Sequence, residues 1–400
     1  MSKSNLIRYF VTAIIFMQVV SLLIVLNVKG QEEDSWNSLA SMQSETYFLG
    51  AASIDDKIYA IGGHFFKPDF NTTTVYNPKT DTWTTKSPVI TRMPNSSLSI
   101  SNLCVVSCQN KIYAIGGMED VGTVTNTIRV YNPLTDMWEI KSSILIQRSE
   151  AVAATVKDKI YITGGFSGGP LSYYEIYNVT EVYDPLTNTL STKAPIPTAV
   201  RGASIAVSDN KIFVFGGVTH EDYACNLTQI YNPESDSWSL GSQIPTGASY
   251  ACAGATSGKL APRRIYIFGG STEPNISLNL TQIYDPEKDS WSKGAPMNNG
   301  RLGLAVAVID DLLYTLGGYE MTSNSGVRVL SNNDLYTPLG YNHEIPVPEP
   351  DFQTALILVS FIIISIIGLG TLVYFKKYKS SHNGISQNQR YTVFYEITWT

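Results

Sequence analysis

Charge is scarce in this sequence. Asp, Glu, Lys and Arg together make up 16% of the residues, and their formal sum is −6. No run of basic residues forms a stripe able to follow a phosphate backbone, which argues against a nucleic-acid partner. Histidine and cysteine are equally sparse, four of each. No Cys-x-x-Cys pair and no Cys/His cluster carries metal-ligand spacing, so neither a metal site nor a resident cofactor is expected. Tyrosine, in contrast, is abundant at 24 residues. Many aromatics with few charges suit short strands packed face to face rather than long solvated helices.

The two ends differ from the middle. Residues 1–30 carry Lys3 and Arg8, then an apolar run over 9–26, then Val28-Lys29-Gly30 with small or branched residues at the −3 and −1 positions. That is the layout of a signal peptide, with an uncleaved signal anchor as the alternative. Residues 355–375 hold no charge. As a helix they span roughly 30 Å, the thickness of a bilayer's hydrocarbon core. Lys376, Lys377 and Lys379 follow, so the positive-inside rule puts the tail 376–400 in the cytoplasm and residues 31–350 outside. Between them, 342–354 is Pro-rich and acidic and reads as a stiff stalk. Stalk, apolar span and basic cluster also resemble the sorting tails of some bacterial and archaeal surface proteins. Here more than twenty residues follow the cluster, so a plain type I anchor is the reading taken.

The middle repeats itself about every fifty residues, which decides the architecture before anything else. KIYAIGG at 57–63 precedes VYNPKTDTW, and KIYAIGG at 111–117 precedes VYNPLTDMW. KIYITGG at 159–165, KIFVFGG at 211–217 and RIYIFGG at 264–270 precede VYDPLTNTL, IYNPESDSW and IYDPEKDSW. LLYTLGG at 312–318 precedes the reduced LYTPLG, where Thr337 replaces Asn or Asp and no Trp follows. Ahead of each GG strand lies a strand of small residues such as GAASI or AVAATV, joined to it by a polar pair that signals a tight turn. The double Gly ends a strand where backbone must turn or approach another chain closely. Asn-Pro or Asp-Pro marks a type I turn. The Trp after it is expected to fill the gap between neighbouring units.

Each unit thus reads as four strands, and six units make an all-β ring that hides nearly all strand edges. These motifs resemble the Kelch repeat, which implies a six-bladed β-propeller over residues 31–341, flanked by the signal helix and the transmembrane helix. Each unit is expected to contain its own four strands, so closure would rest on packing between the first and last. The last unit is expected to be the loosest.

Cys104 and Cys108 share one strand face about 13 Å apart, too far to bond. Cys225 and Cys252 are expected at the same end of adjacent units, where a disulfide is conceivable outside the cell; the alternative is four small buried thiols. Of six Asn-x-Ser/Thr sequons, Asn71, Asn178, Asn226 and Asn279 each lie five residues before the outer-strand Tyr, as does the non-sequon Asn126. Those four are read as turn residues of the repeat. Asn95 and Asn275 are the glycosylation candidates.

Arg148, Arg201 and Arg301, with Arg92 as a possible fourth, recur where one strand turns into the next, at loops that crowd one mouth of the channel. Guanidinium groups gathered there suit acidic ligands, and the resemblance places ligand contacts of peptide-binding Kelch domains in such loops. Tyr47 and Tyr250 occupy the corresponding loops of units without Arg and offer aromatic faces to a peptide or sugar. The expected function is an extracellular, membrane-tethered binding module for a protein or glycan. The alternative is a carbohydrate-active enzyme of Kelch type. For a copper oxidase, His64 and His220 lie too far apart around the ring; a sugar mutarotase could use Arg with Glu150. A structural surface component is a third reading.

Overall fold

The computed structural model describes residues 34–64, 71–91, 99–119, 122–168, 174–321 and 326–342. The signal segment, nearly all of the stalk, the apolar span, the tail, Arg92 and Asn95 lie outside the described residues. Among the described residues every regular element is a strand.

The strands form six four-stranded antiparallel sheets, with three small accessory sheets in the loops. In the first, Gly50–Ile54, Lys57–Ile61, Thr73–Asn77 and Thr82–Lys86 follow one another outward. The inner strands are Gly50–Ile54, Cys104–Cys108, Val152–Val156, Ser204–Ser208, Cys252–Ala255 and Ala305–Ile309. Each touches the next, and Ala305–Ile309 touches Gly50–Ile54, so they surround a channel. Its wall is apolar, including Ala51, Val105, Ile205, Val207, Val306 and Val308. In five sheets a polar pair at positive φ, such as Asp55-Asp56 and Gln109-Asn110, turns the inner strand back. That is the geometry of the type I′ hairpin the sequence signals. In the fifth sheet a longer loop replaces it. There the Asp311 carboxylate accepts backbone N–H groups of Ser257, Lys259, Leu260 and Ala261 at 2.5–3.1 Å.

Closure differs from the expectation. The sixth sheet takes its outermost strand from the other end of the chain: Ser35–Ser38 pairs with Asn333–Thr337, with Trp36 opposite Tyr336. Trp36 is therefore not the start of the first unit but the Trp that the sixth lacks. Elsewhere the repeat's Tyr hydroxyl donates to an acid or amide five residues on, as Tyr76 does to Asp81 at 2.7 Å and Tyr231 to Asp236 at 2.6 Å. Those acids also accept an N–H from a neighbouring segment, Ala40 for Asp81 and Ala194 for Asp236. In the sixth sheet Asp34 does both, holding Tyr336 at 2.5 Å and the Ala295 N–H at 2.8 Å. The Trp36 indole donates to Ala295 O at 2.9 Å, as Trp83 does to Ala40 O and Trp238 to Ala194 O. The sixth sheet carries the same clasp as the others.

The double glycines hold sheet to sheet. A Cβ on Gly62 would run into Ile100 O, and one on Gly317 into Thr46 O. The next glycine donates its N–H to that same carbonyl, Gly63 to Ile100 O and Gly318 to Thr46 O, both at 2.8 Å. Both glycines of each pair sit at positive φ, where a side chain is strained. Between the sheets lie clusters of Ile, Val, Ala and Tyr, with the rings of Tyr76, Tyr131, Tyr183, Tyr231, Tyr284 and Tyr336 fully buried.

The expected Cys225–Cys252 bridge does not form. All four cysteines are free and buried. Cys225 packs with Val200, Val214 and Tyr231, and Cys252 with Tyr266, Leu304 and Tyr336, in separate clusters. The alternative reading of four small core thiols fits the molecule. The repeated asparagines also have a local role: backbone carbonyls of Asn71, Asn126, Asn178, Asn226 and Asn279 each accept an N–H from the loop before the next inner strand.

Candidate functional site

Just before each inner strand the chain passes through one residue in the left-handed region: Phe48, Asn102, Glu150, Gly202, Tyr250 and Gly303, with φ between 53° and 64°. Non-glycine residues rarely take this conformation, and surrounding structure must hold them there. Here the holder is a closed circuit of backbone hydrogen bonds. Phe48 N–H donates to Gly303 O, Gly303 to Tyr250, Tyr250 to Gly202, Gly202 to Glu150, Glu150 to Asn102 and Asn102 to Phe48, at 2.7–3.0 Å. The circuit rims one end of the channel around a cavity of about 120 Å³. This end is the mouth; the hairpin turns mark the opposite, turn end.

The three expected arginines do not meet there. The residue before five of the left-handed positions forms an isolated bridge with the strand end across from it: Tyr47 with His64, Ser149 with Phe166, Arg201 with Val218, Ser249 with Ser271, Leu302 with Tyr319; in the second sheet Ser101 pairs with Met118 in a short ladder. Arg201 belongs to this series, whereas Arg148 and Arg301 stand one residue earlier. Along extended chain a shift of one residue reverses the side chain's direction. Arg148 and Arg301 accordingly point into the body, each 1% exposed. Arg148 pairs with Glu181 and donates to Val179 O at 3.0 Å. Arg301 reaches Asp334 at 2.8 Å, Thr315 Oγ1 at 3.0 Å and Gly317 O at 3.1 Å. They are internal struts, not ligand groups. In the fourth and fifth sheets, which lack such an Arg, a neutral Gln stands two residues before the repeat's Tyr: Gln229 and Gln282 accept the N–H groups of Thr198 and Thr246. The sequence carries this signal, TEVYD and NDLYT beside TQIYN and TQIYD.

Arg201 alone reaches the mouth. Its Nη1 donates to Glu150 Oε2 and to the Tyr250 hydroxyl oxygen, both at 2.6 Å, and the Tyr250 hydroxyl lies 3.1 Å from the same carboxylate oxygen. Its guanidinium lies over the Phe166 and Tyr174 rings at 5.0 and 5.6 Å, within cation–π range. Burial pushes the Glu150 carboxyl above the usual range, and Arg201 counters part of that rise. Burial and the neighbouring Glu150 raise the Tyr250 phenol. The guanidinium is thus already matched by a carboxylate, so Arg148, Arg201 and Arg301 give the mouth no unpaired cation for an acidic ligand.

Beside this triad, Tyr47, Phe48, Tyr223, Leu302, Tyr319 and Val327 line part of a second cavity of about 360 Å³, with Asn275 at its wall. Phe48 and Tyr250 ring centroids lie 5.5 Å apart, joining the two areas. Tyr47 and Tyr250, paired in the sequence reading, do face one region, but from different positions of their loops. Asn275 is exposed at φ 76°, and its sequon partner Ser277 accepts the Met321 N–H at 3.2 Å. His64 packs edge-on against Tyr47 at 5.3 Å, and His220 is exposed in the loop after the fourth sheet's GG. Among the described residues no three His, Cys, Asp or Glu are grouped to hold a metal ion.

Comparison with known proteins agrees with this architecture. A family model described as the KLHDC2/KLHL20/DRC7 Kelch-repeats domain matches residues 18–165, 49–262 and 166–318. Human Kelch-like protein 38 is 24% identical over 72% of this chain and 46% of its own length. Kelch-like protein 25 of Xenopus laevis is 30% identical over 64% of this chain and 42% of its own. The chain therefore spans less than half the length of these curated relatives. The solved structure of YjhT superposes with a TM-score of 0.61 at 14% identity, covering 74% of this chain and 95% of that one, a likeness of fold. With its repeats, its all-β sheets and this match, the chain belongs to the family of the KLHDC2/KLHL20/DRC7 Kelch-repeats domain, and its fold is a Kelch β-propeller.

Proposed function

We propose that the chain is a binding module: a six-bladed propeller tethered outside a cell membrane, whose mouth face takes up a segment of a partner protein. The observation that carries this reading is the mouth itself. Six left-handed residues, four of them not glycine, are locked in a backbone circuit, and around them stand the Arg201–Glu150–Tyr250 triad and exposed aromatic side chains such as Tyr174, 58% exposed. Rigid aromatic and Arg groups in a concave, partly dry setting are the usual anchors of protein interfaces. Both ends of the described region leave at the other side. Asp34 precedes Ser35, which pairs with Thr337 at the turn end, and the Asn342 N–H donates to Leu260 O in the turn-end loop of the fifth sheet.

The tether is read from residues 1–30, the stalk 342–354, the span 355–375 and the lysines after it. Membrane-impermeant biotinylation of intact cells tests it. Propeller lysines such as Lys79 label without permeabilisation if the domain is external; labelling only after permeabilisation rejects the tethered, external placement.

Partner binding is tested on the full-length protein with a photo-crosslinking residue at Tyr174, at the mouth, or at Leu134, 91% exposed at the turn end. A protein adduct is expected from position 174 and not from 134, and Arg201→Ala weakens it. Adducts from 134 alone, or from neither position, reject the mouth as the protein-binding face. Capture of a glycan in place of a protein replaces this reading with the carbohydrate one.

A further inference from the structure

We infer that the cavity walled by Tyr47, Phe48, Tyr223, Leu302, Tyr319 and Val327 is a receptor for a single uncharged aromatic side chain of the partner protein. This rests on the mouth being a protein-binding face and narrows that reading to the anchor. At about 360 Å³ it is larger than the cavity inside the circuit, which is about 120 Å³. It falls in the size range of small ligand sites.

Its walls are aromatic and steeply inclined to one another. Tyr47 and Tyr319 lie 5.0 Å apart at 70°, Phe48 and Tyr319 5.9 Å apart at 79°, and Tyr47 and Phe48 5.1 Å apart at 52°. A guest ring lying in the cavity against this cluster meets ring faces and ring edges together, the two contacts aromatic pairs prefer. Met321, also in the wall, adds a polarisable sulfur.

The walls are also held before any guest arrives. Tyr47 exchanges backbone hydrogen bonds with His64 at 2.7 and 3.2 Å, and Tyr319 with Leu302 at 3.0 Å in both directions. Phe48 belongs to the closed circuit. A prearranged pocket loses little freedom on binding.

The pocket selects against charge. Among the described residues no charged side chain lines it. Two ionic pairs nearby are matched, Arg201 with Glu150 at 2.6 Å and Glu320 with Arg328 at 2.9 Å. A cation or carboxylate entering here sheds water against a described lining that offers it no opposite charge. A sugar ring needs several directed polar groups, and among the described lining residues the polar side chains are the tyrosines and Asn275.

The test uses the full-length protein in lipid nanodiscs, with empty nanodiscs as blank, titrated by saturation-transfer NMR. The probes are N-acetyl-tryptophanamide and N-acetyl-phenylalaninamide, against N-acetyl-leucinamide, N-acetyl-argininamide and methyl glucoside. Saturable binding of the aromatic amides is expected, with the other three weaker by about tenfold or more, as loss of the aromatic contact implies. Tyr319→Ala weakens the aromatic probes by a similar factor. Because Tyr319 also supports Tyr47 and Phe48, Val327→Glu is the second variant. Val327 is 45% exposed at the rim, and a carboxylate there blocks entry without removing a wall. The inference is overturned by no saturable aromatic binding, by equal or tighter binding of the aliphatic, cationic or sugar probe, or by Val327→Glu leaving affinity unchanged. The crosslinking at position 174 is read separately. Adducts there without aromatic preference reject the pocket alone, and aromatic binding without adducts rejects the protein-binding reading alone.

Discussion

One residue of phase separates Arg148 and Arg301 from Arg201, and it sends the same side chain into two different environments. The inner two are expected to matter for stability. Removing either leaves Glu181 or Asp334 as a buried carboxylate without its cation, which costs about 3–5 kcal/mol. Urea unfolding of Arg148→Ala and Arg301→Ala should show that loss. Arg201→Ala should cost less, because Tyr250 still contacts Glu150 and the raised carboxyl can take up a proton. The cysteines make a second residue-level case. Burial pushes the Cys104 and Cys252 thiols up to about 12 and Cys108 to about 11, so little thiolate exists near neutrality. All four should resist a thiol-specific reagent in native buffer and react together in denaturant. Prompt reaction in native buffer, or fewer than four thiols in denaturant, contradicts the assignment.

At the scale of the element, the clasp between Tyr, Asp and Trp sets the acid response. Asp81, Asp136, Asp236 and Asp289 are each held below the usual carboxylate range by a Tyr hydroxyl and a backbone N–H. A carboxyl depressed in the folded state adds stability above its unfolded pKa and loses it as pH falls through the folded one. Raised Glu150 acts in the opposite sense, but four depressed groups outnumber it. The melting temperature should therefore fall as pH drops below the ordinary carboxylate range, and Asp→Asn at these positions should flatten that fall. The strand Ser35–Ser38 is the other decisive element. Trp36→Ala removes a half-buried ring packed 5.0 Å from Phe268 and 5.1 Å from Tyr336. A loss of about 3 kcal/mol is expected, at the low end for a large aromatic because part of the ring is exposed. Most of each element was legible beforehand. The GG strands, the type I turns, the paired hairpin residues and the interleaved Trp follow from local propensity and spacing. The missing sixth Trp was legible only as an absence, since its replacement lies about three hundred residues away in sequence.

At the scale of the whole molecule, the circuit of six backbone hydrogen bonds and the exchanged strand make the ring one object. Deleting residues 31–38 should do more than remove one strand: it takes Asp34 and Trp36 from the sixth sheet and exposes its edge to other chains. Calorimetry of the deleted protein should show a lowered, broadened transition, and light scattering should show association. A sharp transition at the parent temperature contradicts closure by this strand.

The sequence by itself determined the all-β repeat, the number of GG units and the turn chemistry. These rest on contacts within fifty residues, where periodicity and turn preference act directly. Only the tertiary structure decided which strand closes the ring, which arginine reaches the mouth and which aromatic residues share a pocket. Those outcomes depend on pairings between distant segments and on a one-residue register that reverses a side chain, and local preference is blind to both.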